Sequence, residues 1–365
     1  MQPSVPDPGI LGRVARIIGN LAPEDDYTHP LGPEPNFNES MYFNFFDRER
    51  SIGGFVRLGN RANEGHAEMT VTLYLPDGRV LFAFKRPEIH GNDAMDAGGL
   101  RFEVVEPAQR LRTVYEGSVV ELREPRAMAD PRKAFTENPR KRILLDLLHD
   151  AVGPLYGSAG DEEEEGRSAD QQFARAHYEQ HMHVTGRLEI ADPDPRSPGE
   201  AEPRRSTGGQ PSEVHELDGY GLRDHSWGPR HWQAIEGYEW LTMNFGADLG
   251  VMISVIRRDA GRVRTGGVVV RGDEIDLVTK AAIDAEYEEN GLFHKALRVR
   301  FETRTGEAHE VRGTVKGFIP LRNRRGGLVT HIGEGMTEWR LGGRVGYGLS
   351  EFLRQVPGDA PPSPS

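Results

Sequence analysis

A period-two alternation of side chains, cut short again and again by glycine and proline, runs through most of this sequence. Over residues 66–75, Met69, Val71, Leu73 and Leu75 fall on one side while Glu68, Thr70, Thr72 and Tyr74 fall on the other. Successive residues of a strand face opposite ways, so the segment reads as a strand with one apolar face. Pro76-Asp77-Gly78 is a turn signal, and 80–85 returns as the second arm of a hairpin. The pattern recurs at 296–303, where Leu297, Val299 and Phe301 oppose Arg298, Arg300 and Glu302, and again at 310–319. The chain spreads 44 glycines and 25 prolines over 365 residues, which leaves little room for long helices.

Counting such segments gives about eight strands before residue 191 and about eight after residue 212. Eight antiparallel strands close into a barrel without sheet edges. The expected fold is therefore all-β: two eight-stranded barrels in tandem, an N-terminal domain at 1–191 and a C-terminal domain at 212–365. Residues 192–211, rich in proline, glycine and charge, read as a linker or long loop. A helical insertion is expected at about 130–180. Asn138-Pro139 looks like a helix start, followed by an apolar stripe of Ile143, Leu144, Leu147 and Leu148. Ser168 with Gln171 resembles a capping box opening a short helix through Tyr178. The acidic run at 161–165 between them reads as a solvated loop.

Composition removes several classes of function. Cysteine is absent, which excludes disulfides, thiolate metal sites and cysteine nucleophiles. A net charge of −12 argues against a general phosphate-binding surface, so no nucleic-acid partner is expected. No apolar run approaches the roughly 20 residues that span a bilayer. The first twenty residues show no basic-then-apolar signal. The expectation is a soluble, cytoplasmic protein with no integral membrane association.

The chemistry-bearing residues concentrate at 219–232, which holds Asp224, His225, Ser226, Trp227, Arg230, His231 and Trp232. Gly228-Pro229 bends the chain, presenting Asp224 and His225 to a cavity, while tryptophan supplies an apolar wall and a π face for a cation. The plainer reading is a corner in which Asp224 caps a turn and Arg230 pairs with it. Outside this segment, His181 and His183 alternate on a strand with the spacing a metal uses, but no carboxylate stands at a diagnostic offset, so no metal site is expected. The glycines at 342–348 lack the βαβ surroundings of a dinucleotide site and read as a strand end or barrel closure. The basic stretch at 322–327 reads as a solvated hairpin tip.

Val184-Thr185-Gly186-Arg187-Leu188, then Gly219 to Gly228 with its Asp224-His225-Ser226-Trp227-Gly228 core, then Tyr238-Glu239-Trp240-Leu241, follow a recognisable order. In this the chain resembles the carotenoid 1,2-hydratase/AttH-like family, the double-lipocalin branch of the calycins. The resemblance is specific over about 60 residues. The insertion at 130–180 and the Gly228–Trp232 continuation mark a side branch, in which fold transfers better than substrate. It implies a deep apolar cavity with a carboxylic acid in its wall, and a cofactor-independent acid–base enzyme acting on an isoprenoid, steroid or polyketide. The reaction class is hydration or dehydration, isomerisation or cyclisation. Asp224 is then the acid–base group with His225 as its relay, and Trp227, Tyr238 and Trp240 form the wall. Arg230 is a further substrate contact; Tyr42 and Asn44, on the polar–aromatic alternation of 39–46, read either as cavity contacts or as part of an ordinary first barrel strand. Burial beside Trp227 makes Asp224 a proton donor, whereas Arg230 beside it makes it a base or an anchor. The alternative function is a non-catalytic carrier of the same hydrophobic ligands.

Overall fold

The alternation closes twice. In a computed structural model describing residues 15–160, 176–193, 211–230, 235–258, 261–289, 291–325 and 328–357, each barrel is a simple meander. Every strand pairs antiparallel with the next, and the last returns to the first. The N-terminal barrel runs through Glu39–Asp47, Ile52–Arg61, His66–Tyr74, Val80–Lys85, Arg110–Leu122, Arg140–Ala151, Ala176–Ala191 and Glu213–Trp227. The C-terminal barrel runs through Gly237–Asn244, Gly250–Arg258, Arg262–Arg271, Glu274–Tyr287, His294–Thr303, Ala308–Arg325, Leu328–Leu341 and Arg344–Pro357.

Two expectations are corrected. Glu213–Trp227, expected to open the C-terminal domain, is the eighth strand of the N-terminal barrel. It pairs with Ala176–Ala191 from Ala176↔Trp227 to Ile190↔Glu213 and with Glu39–Asp47 on its other side. The boundary between the barrels therefore falls after Trp227 and before Gly237 rather than at 192–211. Arg110–Leu122 is one long strand paired with both Val80–Lys85 and Arg140–Ala151, and Glu213–Trp227 completes the ring of eight. Arg140–Ala151, expected as a helix, is also a strand: Ile143, Leu145, Leu147 and His149 are buried at period two while Leu144 is exposed. An apolar run of Ile143 to Leu148 matches both periods, and a place between two partner strands decides it. A seven-residue helix, Pro131–Glu137, lies just before it, capped by Asp130. The acidic run, the capping box and most of the 192–211 segment lie outside the described residues.

Each lumen is filled. Met41, Phe43, Phe45, Val71, Leu145 and Val184 contribute to the N-terminal core, and Leu241, Ile253, Val299, Phe301 and Trp339 to the C-terminal one. A third apolar cluster joins the barrels through their outer faces, with Tyr42, Phe55, Tyr74 and Phe82 from one and Ile319, Met336 and Leu349 from the other. Phe46 stacks on Tyr347 with centroids 4.3 Å apart, and Tyr42 meets Trp240 edge-on at 5.3 Å. Contact is so close at Gly317 that a Cβ there would lie 2.6 Å from the Tyr74 ring.

Candidate active site

With both lumens packed, the space for a ligand is between the barrels. A cavity of about 660 Å³, within the range of small-molecule sites, opens there. Outward-facing side chains of both barrels line it, because alternation sends every second residue of each strand away from its own core. Tyr42, Phe55, Phe82, Phe135 and Trp240 give it aromatic walls, with Met128 from the 3₁₀ turn Pro125–Ala129.

The N-terminal barrel contributes Asp224 and its neighbours across the ladder. Glu179 stands opposite Asp224, and His177 opposite Ser226. The diagonal brings His177 Nε2 to 2.6 Å from Asp224 Oδ2 and 3.5 Å from Glu179 Oε1. Burial opposes the imidazolium, but the Asp224 and Glu179 carboxylates outweigh it and push His177 up to about 10. Its exposed surface opens onto the cavity. Trp240 Nε1, from the other barrel, donates to Glu179 Oε1 at 2.9 Å.

The C-terminal barrel answers with a second carboxylate pair. Glu334 and Glu351 stand directly opposite each other on neighbouring strands, both buried. Two buried carboxylates on directly opposed positions resist ionising together. Burial holds Glu334 well above the usual carboxylate range, and the Glu351 charge adds to the effect. Burial likewise raises Glu351, to about 7; the Asp224 charge adds to this, while the Tyr238 hydroxyl, Arg57 and Arg230 restrain it. Tyr238 donates to Glu351 Oε1, and Tyr74 Oη donates to the Glu334 backbone carbonyl at 2.9 Å. Arg230 NH1 donates to Ser226 Oγ at 3.1 Å, and burial lowers the guanidinium to about 10. One wall thus carries an imidazolium–carboxylate pair and the facing wall a poised carboxylic acid.

The profile of a domain of unknown function, DUF7064, matches residues 22–356. The chain belongs to the DUF7064 family. A comparison with the curated proteins returned no match. Among solved structures, an AttH-like protein from Nitrosomonas europaea superposes with a TM-score of 0.59 at 17% identity, over 94% of this chain and 99% of its own. CghA superposes at 0.52 and 12% identity over 89% of each chain. Kievitone hydratase from Nectria haematococca superposes at 0.50 and 10% identity, over 93% of this chain and 96% of its own. At these identities the likeness is one of fold, and the AttH-like resemblance read from the 184–188 and 219–228 segments holds at that level.

Of the residues singled out in the DUF7064 sequence, the structure brings Asp224, Arg230, Tyr42, Tyr238 and Trp240 together in the cavity wall. It does not bring His225, Trp227 or Asn44 there. His225 and Trp227 follow Asp224 by one and three residues, so strand alternation turns both onto the lumen side, where His225 contacts Tyr178 and Glu39 and Trp227 stacks on His29. His225 is therefore not the relay of Asp224; His177 touches that carboxylate instead. Asn44 is buried one pair beyond Tyr42, its Oδ1 accepting from the Leu222 amide at 3.2 Å. Sequence reasoning missed Glu179, Glu334 and Glu351. The one local signal for the last two was a carboxylate set on a strand among glycine and apolar residues, as in Ile332-Gly333-Glu334-Gly335-Met336.

Among the described residues two groups of side chains converge closely enough to hold a cation: His177 with Glu179 and Asp224, and His29 with Glu39 and His225. His181 and His183 do not converge. His181 Nδ1 meets Asn244 Oδ1 at 2.7 Å and His183 Nε2 meets Asp218 Oδ1 at 2.7 Å. Among the described residues no helix is long and apolar enough to cross a membrane.

Proposed function

We propose that this protein is an acid–base enzyme acting on a hydrophobic small molecule held between its two barrels. The observation that carries the reading is the opposition of the His177–Asp224 pair to the Glu351 acid across an aromatic-walled cavity. Glu351, protonated below about pH 7, delivers a proton to the substrate, and Tyr238 orients it. Asp224, paired with the His177 imidazolium, takes a proton from water or from carbon on the other face. Aromatic rings of Tyr42 and Trp240 shelter developing positive charge. This chemistry covers hydration and its reverse, isomerisation and cyclisation. Kievitone hydratase, whose fold this chain shares, makes the hydratase class the leading one.

The test begins with native mass spectrometry of the full chain purified from its own host, to identify a retained apolar molecule. That molecule is then offered to wild-type and variant proteins. Turnover is expected in the wild type, falling as pH rises through about 7, with at least a ~10²-fold loss in Asp224→Asn. Glu351→Gln is expected to lose the limb near pH 7 along with the rate. Binding with no chemical change in the wild type would establish the carrier instead.

A further inference from the structure

At one end of the N-terminal barrel, on the opposite face of the wall from the cavity, a second cluster of titratable groups is enclosed. It forms where the segment carrying Asp25, Asp26 and His29 crosses the start of Glu39–Asp47 and the end of Glu213–Trp227. Glu39 and His225 are fully buried and His29 is part-buried, its ring stacked on Trp227 at 3.8 Å with 9° between planes.

Hydrogen-bond accounting makes this cluster unusual. Tyr178 Oη donates its proton to Asp26 Oδ1 and accepts from Arg223 NH1 at 3.0 Å. Toward His225 Nδ1, at 3.1 Å, that oxygen can only accept, so Nδ1 carries a hydrogen. His29 faces a carboxylate from each nitrogen, Glu39 Oε1 from Nδ1 at 2.7 Å and Asp25 Oδ1 from Nε2 at 3.3 Å, so its neutral form has one hydrogen for two acceptors. His29 Nδ1 and His225 Nε2 face the same oxygen, Glu39 Oε1, at 2.7 and 2.9 Å. With both rings neutral, the His225 lone pair points at that carboxylate oxygen, and one of the two carboxylate contacts of His29 lacks its hydrogen. The other Glu39 oxygen is already committed to the His29 amide at 2.9 Å and to Asn92 Nδ2. Two added protons or one divalent cation would balance these contacts.

We propose that His29 Nδ1, His225 Nε2 and Glu39 Oε1 form a divalent metal site with the ligand set of a zinc centre. Outer contacts match what such sites use: Asp25 behind one imidazole, and Tyr178 backed by Asp26 behind the other. Tetrahedral zinc bonds of about 2.0–2.1 Å separate ligand atoms by about 3.3 Å, so the donors need open by only about half an ångström. The ion would tie the 22–37 segment to two strands of the barrel and so serve stability rather than the cavity's chemistry. Ligands ten and 186 residues apart in sequence leave no spacing motif.

The test uses the full chain, stripped with chelator and titrated with zinc alone. One zinc per chain and a rise in melting temperature of at least about 2 °C are expected. Cobalt is expected to give the visible absorption of a four-coordinate site. His29→Asn, at a part-exposed position on an ordered segment, is expected to fold and to lose the zinc, the shift and the cobalt spectrum together. His177→Asn, in the other donor group, is expected to keep all three. Stoichiometric zinc that survives His29→Asn, or folded wild type that takes up none, overturns the site and leaves two imidazolium protons in its place.

Discussion

Asp224 and His225 are adjacent in sequence and face opposite compartments, and the charge network each joins follows from that. Asp224 faces His177 and the cavity; His225 faces Glu39 and the barrel end. Their segment was legible as chemically dense because its residue types are rare at such spacing. The partners were not, because they depend on register between strands. His177 has a consequence for stability that can be read with pH. Its folded value, raised from the ordinary 6.5 to about 10, means it binds a proton more tightly folded than unfolded. That contribution is complete below about pH 6.5 and disappears as pH rises through about 10. Calorimetry from pH 7 to 10 is therefore expected to show a melting temperature that falls more steeply in wild type than in His177→Gln. Parallel curves would mean that His177 carries no such charge in the fold.

At the scale of elements, strands bounded by Pro-Asp-Gly turns and clean alternation were readable directly, as at His66–Tyr74. Arg140–Ala151 was not, because consecutive leucines satisfy a helical stripe and a strand face alike. The two readings part at neighbouring residues. Leu145 is wholly buried in the N-terminal core and Leu144 is 36% exposed. Leu145→Ala is expected to cost about 2–5 kcal/mol in denaturant unfolding, and Leu144→Ala no more than about 0.5 kcal/mol. A helix packed through the Ile143–Leu144–Leu147–Leu148 stripe would make Leu144→Ala the costly change. Glu213–Trp227 shows a different limit. Its pattern was read correctly as a strand, but nothing local says which ring it joins; the fifteen-pair ladder with Ala176–Ala191 does.

Over the whole molecule, the tandem repetition of eight-strand patterns carried the architecture, while the location of the cavity depended on what fills the barrels. Large apolar side chains occupy both lumens, so the outer faces of the two barrels, joined by contacts such as Tyr42 with Trp240 and Tyr74 with Glu334, enclose the remaining space. That arrangement sets groups from residues 177 and 224 against groups from 334 and 351. The most direct measurement is solvent deuterium incorporation. The molecule retained by the purified protein is incubated in D₂O with wild type, Asp224→Asn and Glu351→Gln, and mass spectrometry and NMR locate any label bound to carbon. Proton transfer between these walls and the ligand requires deuterium at a carbon in the wild-type reaction and at least ~10²-fold slower labelling in each variant. A ligand that leaves the wild-type protein with its carbon-bound hydrogens unexchanged and its structure unaltered would contradict the account.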